Sequence, residues 1–212
     1  MSYLKKQDKN PEYLNNYLKY CQFILFYSET TVNEMYVDIK TFMRYLIVKN
    51  NEKEYKNLTI ELFKEIEITD FNINPLNNIR PYDIEQYIYF LRYMLDNSEK
   101  TRNRKLSSLK RFFRYLADNN LIGNNPALHI KYAQSEKRLP KYLTLNESKT
   151  LLSKTITNET RNYIRDYAIE CIFLNCCLRL SELVGINLTD IKLDEMKNMV
   201  IIPAYKPNKE RD

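Results

Sequence analysis

From Tyr13 to Tyr132 the apolar residues recur at intervals of three and four rather than two, the spacing of helices that bury one face. Four or five helices with polar interruptions are predicted. The first spans about Pro11 to Tyr27, with Pro11 suited to a first turn and Tyr13, Leu14, Tyr17, Leu18, Cys21, Ile24 and Leu25 on its apolar side. Ser28, Thr30 and Thr31 offer capping hydroxyls to a second helix, in which Val32, Met35, Tyr36, Ile39, Phe42, Met43 and Leu46 keep helical spacing to about Lys49. Residues 51–80 are polar and irregular, a loop carrying one short helix around Ile60 to Ile66. Pro81 and Asp83 open a helix whose Ile84, Tyr87, Ile88, Phe90, Leu91 and Met94 turn inward. A further helix runs from about Glu99 to Asp118, and the Asn, Gly and Pro residues between Asn119 and Ala127 end it.

The polar, basic stretch from Ala133 to Thr144 lacks apolar periodicity and reads as a linker, over 134–142, between a helical domain (1–133) and a second domain (143–212). In the second domain Thr144 and Glu147 match the capping-box pattern ahead of a helix ending near Lys154. Helices over about Glu159 to Cys177 and Arg179 to Gly185 follow, then a strand, Met199 to Ile202. Pro203 and Pro207 fall among the residues after that strand, so its sheet and core are expected to be incomplete within these residues.

Composition narrows the function classes. A length of 212 residues allows one large or two small domains, and 44% hydrophobic with 28% charged residues is a folded, globular balance. The longest apolar run, Cys21 to Tyr27, falls far short of the roughly 20 residues that cross a bilayer, and the N-terminus lacks a signal-peptide core, so a cytoplasmic protein without membrane contact is expected. Cys21, Cys171, Cys176 and Cys177 form no spaced framework and read as reduced thiols, and the one histidine, His129, has no ligand cluster beside it. The two glycines, Gly123 and Gly185, cannot build a Gly-rich phosphate cradle. No metal and no cofactor is expected. A net charge of +6 is weak evidence for an anionic partner, because AT-rich coding bias alone raises lysine content.

Local arrangement says more. In TRNRKLSSLKRFFRYL and its preceding lysine, Lys100, Arg102, Arg104, Lys105, Lys110, Arg111 and Arg114 all come before the next acid, Asp118. At 100° per residue Leu106, Leu109, Phe113 and Leu116 share one face, while Arg104, Ser108, Arg111 and Arg114 lie opposite. A solvated basic face and a phosphate-contacting one remain evenly weighed. Arg104 and Arg111 are expected to project away from the Leu106 and Phe113 face, so that replacing both with Glu would lower nucleic-acid affinity with little effect on folding. Lys131, Lys137, Arg138 and Lys141 form a second basic segment. In CCLRLSELVGINLTDI, Arg179 and Glu182 sit three apart among leucines, either a structural ion pair or a partly buried guanidinium prepared for an anion.

Four segments, in order and over nearly the whole chain, resemble the tyrosine recombinases, the phage integrase family that includes bacterial chromosome-dimer resolvases. SETTVNEMYVDIKTFMRYL resembles its opening segment, in which S-x-x-T precedes an aspartate-bearing helix. KTRNRKLSSLKRFFRYLADNNLIGNNPA resembles its T-x-N-R-[KR]-L-[SA]-[SA] helix and following N-P turn. LPKYLTLNES resembles the catalytic-domain entry, and RDYAIECIFLNCCLRLSELVGINLTDI resembles RD-x-A-[IL] leading into T-G-L-R-[IV]-S-E-L.

The resemblance implies a mainly α chain: an N-terminal helical core-binding (SAM-like) domain followed by the first part of an α+β catalytic domain, together clamping double-stranded DNA. Family members cut and rejoin DNA through a 3′-phosphotyrosyl intermediate without metal or nucleotide, as tetramers on two duplexes. Arg179 matches the first catalytic arginine, Glu182 the acidic residue that orients the site, and Lys206 the lysine that protonates the leaving 5′ oxygen, with Lys209 the alternative. Cys177 stands where the family has glycine, a change read as one of packing. The DNA-contacting set comprises Thr30, Thr31, Lys100, Thr101, Arg102, Arg104, Lys105, Ser108, Arg111, Arg114, Lys137, Arg138 and Lys141. The H-x-x-R and tyrosine boxes find no match, so these residues alone are expected to be monomeric without DNA and to form no covalent adduct with a suicide duplex. The alternatives are a noncatalytic DNA-binding protein derived from a shortened recombinase, and a helical module whose basic helix meets an acidic partner.

Overall fold

The structure is a computed structural model and describes residues 9–49, 58–134, 139–157, 161–187 and 190. The chain is mainly α-helical, with no strand among the described residues, and divides into two compact units, Met1–Lys137 and Arg138–Asp212. The expected strand at Met199 to Ile202 lies outside the described residues.

In the first unit α1 (Glu12–Lys19) runs on into a π-helical segment, Tyr20–Ile24, so the regular helix ends earlier than the apolar pattern suggests. The pattern cannot distinguish the two, because a π turn shifts the buried face without breaking the apolar run. Helices α2 (Glu29–Lys49) and α6 (Glu99–Asp118) carry most of the core. Both start with Ser-x-x-Thr: the Ser28 and Ser98 hydroxyls accept the Thr31 and Thr101 backbone N–H groups, each at 3.3 Å. Ser28, rather than Thr30 or Thr31, is therefore the capping residue of α2.

Helix α5 (Pro81–Tyr93) completes the packing, with Phe42 edge-on to both Tyr87 (5.0 Å between centroids) and Phe113 (5.8 Å). Leu14, Tyr17 and Leu18 of α1 close the other side, Tyr17 lying 5.1 Å from Phe112. Between α2 and α5 the chain forms α3 (Ile60–Glu65) and a single turn, α4 (Asn74–Asn77), where one short helix was predicted. Arg44 pins this stretch by donating to the carbonyls of Ile66 and Lys64.

A buried carboxylate joins α2 to α6. Asp38 is fully buried (0% exposed) and accepts from Arg104 Nη1 at 2.7 Å and Ser108 Oγ at 2.8 Å on one oxygen, and from Lys105 Nζ at 3.2 Å on the other. Burial lowers the pKa of Lys105, and the Asp38 charge opposes that shift. The same burial, with a second contribution from Asp38, pushes the Tyr87 hydroxyl well above the ordinary phenol range.

After α6 the chain turns back along the helix. Asn103 clasps the backbone of Ala133 with two hydrogen bonds, Nδ2 to the carbonyl at 2.8 Å and the amide to Oδ1 at 2.9 Å, and Lys110 Nζ lies 4.7 Å from the Tyr132 ring centroid.

The second unit begins with α7 (Leu145–Thr157), whose capping box forms as predicted: Thr144 N–H and Oγ1 donate to Glu147 Oε2, each at 2.7 Å, and Glu147 N–H returns to Thr144 Oγ1 at 3.3 Å. Helices α8 (Tyr163–Cys176) and α9 (Leu180–Val184) follow, and Thr155 Oγ1 donates to Glu170 Oε2 at 2.8 Å to tie α7 to α8. Among the described residues of this unit none is fully buried. No described helix is long and apolar enough to cross a membrane.

Replacing Asp38 with Ala leaves Lys105 buried without its counter-ion and should cost about 3–5 kcal/mol, read as a fall in the urea midpoint. Arg104→Glu should also destabilise strongly, whereas Arg111→Glu, which loses only an exposed cation–π contact, should lower stability by no more than about 1 kcal/mol.

Candidate nucleic-acid interface and arginine box

Helix α6 sorts its cations by depth. Arg102 is buried and donates from Nη1 to the Asn97 carbonyl at 2.7 Å, closing the turn before the helix. Lys105 and Ser108 are buried on Asp38, which corrects the outward placement of Ser108. Arg104 is half in, paired with Asp38 and, at 3.7 Å, with Glu34 at the rim. It is thus not the free outward cation that the helical wheel indicated. Such polar burial leaves no mark on hydrophobic periodicity, since only the partner on α2 makes it favourable.

What remains outward is Lys100 at the start of α6 and Arg111 and Arg114 in its second half. Arg111 lies over the Tyr27 ring at 5.6 Å, a cation–π contact that holds the guanidinium near the start of α2. Sequence reasoning passed over Tyr27; its position four residues before Thr31, at the junction of two helices, was the available signal. Thr30 is exposed, Thr31 and Thr101 are half-buried, and Lys141 is exposed on the second unit. Lys137 and Arg138 lie outside the described residues.

In the second unit α8 ends at Cys177, whose backbone is left-handed (φ 50°, ψ 37°). A left-handed residue stops a helix by redirecting the chain, and glycine does so without a Cβ penalty. The glycine-to-cysteine change is therefore a backbone matter, not one of packing alone. The turn delivers Arg179 to the start of α9, where Glu182 Oε2 accepts the Arg179 backbone N–H at 2.8 Å and Oε1 accepts Nη1 at 3.2 Å. The two side chains differ in depth: Glu182 is 12% exposed and Arg179 is 69% exposed. The expected partly buried guanidinium is thus an open one, held from beneath, with donors left for an oxyanion. Lys206 and Lys209 lie outside the described residues.

Residues 39–120, from within α2 to just past α6, match the family model described as phage integrase, N-terminal SAM-like domain. A tyrosine recombinase XerC of Caldanaerobacter subterraneus subsp. tengcongensis is 36% identical over 89% of this chain, and one of Alcanivorax borkumensis is 41% identical over 54%. The chain belongs to the tyrosine recombinase family. It spans 52% of the first relative and 36% of the second, about half of either at most. The crystal structure of XerA recombinase aligns over 94% of this chain and 57% of that one, at 22% identity and a TM-score of 0.37.

Cys177→Gly should relieve the left-handed strain and raise the stability of the second unit by about 1 kcal/mol, seen as later loss of its helical signal on heating, while Cys177→Ala should not.

Proposed function

We propose that this chain is the DNA-embracing part of a site-specific recombinase, in which the first unit grips duplex phosphates and Arg179 of the second meets the phosphodiester to be exchanged. The observation that carries this reading is the Arg179 guanidinium, open to solvent yet held in place by the recessed Glu182. A surface ion pair with both partners exposed would give little preorganisation. Here the carboxylate is anchored by the backbone N–H as well, so the arginine is oriented before any phosphate arrives, as electrostatic stabilisation of phosphoryl transfer requires. Glu182 is the positioning residue and Arg179 the one that would touch the nonbridging oxygens. Lys206, the proposed proton donor to the leaving oxygen, rests on the resemblance alone. Assembly as a tetramer on two duplexes is carried over from the family in the same way.

The reading of the first unit rests on Lys100, Arg111 and Arg114 as the outward cations of α6. Arg102, Lys105 and Ser108 take supporting roles, since their polar groups bond within the unit.

Duplex affinity measured against salt tests this. The unchanged chain should bind less tightly as salt rises. The Arg111→Glu, Arg114→Glu double variant should remain folded and bind more weakly, with a slope shallower by about 1 for each phosphate that it no longer neutralises. Affinity that ignores salt would defeat the phosphate reading. Arg179→Ala should leave this affinity nearly unchanged and abolish strand exchange in the full-length recombinase.

A further inference from the structure

The chain after α1 carries an apolar tip that lies outside the core. The π-helical segment closes with Leu25 N–H on the Tyr20 carbonyl at 3.1 Å, and Tyr27 N–H then reaches back to the Cys21 carbonyl at 3.0 Å. This wide turn leaves Phe23, Ile24 and Leu25 exposed and thrusts out Phe26, which is 86% exposed. Phe26 also has a left-handed backbone (φ 52°), a conformation that a bulky L residue adopts only when its surroundings hold it there. An aromatic ring displayed at such a position is disfavoured twice, by backbone and by hydration.

The neighbours indicate what would cover it. The next residue, Tyr27, carries the Arg111 guanidinium on its ring, and Arg114 and Lys19 are exposed on the adjoining helices. Glu29, in the first turn of α2, is the acid nearest in sequence. The apolar tip is therefore continuous with the outward cations of α6. A second copy of the chain seated symmetrically on this face would bring the same cations opposite each other, in a chain whose net charge is already +6. Duplex DNA offers the complementary combination, phosphates for the cations and apolar base surface in the groove for the ring.

We propose that Phe26 is a DNA-contacting residue that sets its ring against apolar base surface, a thymine methyl group or the face of an opened base step, while Arg111 and Arg114 hold the flanking phosphates. The inference rests on the proposed DNA-binding role of the first unit and adds a contact to it that depends on bases rather than on charge.

Phe26→Gly in the full chain separates this role from a structural one, because glycine accepts the left-handed backbone without strain. The variant should unfold at the same or a higher temperature than the unchanged chain. It should bind a mixed-sequence duplex about tenfold more weakly, the scale of one aromatic contact on a base. The slope of affinity against salt should not change, since no charge is removed. Phe26→Trp should retain affinity. A rise in 2-aminopurine fluorescence with the unchanged chain would assign the ring to an opened base step, and weaker binding on replacing thymine by uracil would assign it to the methyl group. Equal duplex affinity in Phe26→Gly overturns the proposal, as does loss of self-association in that variant without loss of DNA binding. Failure of the unchanged chain to bind duplex at all would instead remove the DNA-binding reading beneath it.

Discussion

A carboxylate with no access to water holds the first unit in register. Asp38 belongs to α2, its three donors belong to α6, and none of them is placed to satisfy it unless the two helices cross at one particular offset. Apolar packing alone tolerates sliding, because one leucine fits a neighbour's groove almost as well as the next. A buried charge does not, since an unpaired ion in a low-dielectric interior is far more costly than a small void. The Phe42, Tyr87 and Phe113 cluster then fills the space which that offset defines. The depth of two cations on α6 follows from the same constraint: Arg104 and Lys105, facing Asp38, are drawn in, while Lys100, Arg111 and Arg114, pointing elsewhere, remain outward.

The helices were legible because their apolar spacing is strong and their punctuation unambiguous. The span Glu99–Asp118 and the Thr144–Glu147 capping box both follow from residues adjacent in the chain. The fates of Arg102, Arg104, Lys105 and Ser108 do not. A helical wheel assigns polar residues to solvent by default, and only the aspartate on another helix, distant in sequence, reverses that for Lys105 and Ser108. The π-helical end of α1 was hidden for a related reason: YCQFILF is apolar almost throughout, so no periodicity marks where the winding changes.

At the arginine box the spacing of Arg179 and Glu182 fixed that they meet, but not how deep each lies. Leucines on both sides suggested enclosure, yet Leu180 is itself exposed, and the guanidinium with it. Depth depends on what packs over α9, information held by other elements. The Cys177 backbone was equally silent, because a cysteine in sequence gives no sign of a left-handed turn, and only the family's glycine at that position hinted at one.

The Asn103 clasp on Ala133 holds the chain after α6 against that helix. Because residues between Asn119 and Ala133 are folded back on the helix, extra length inserted there would bulge locally and leave the clasp itself in place.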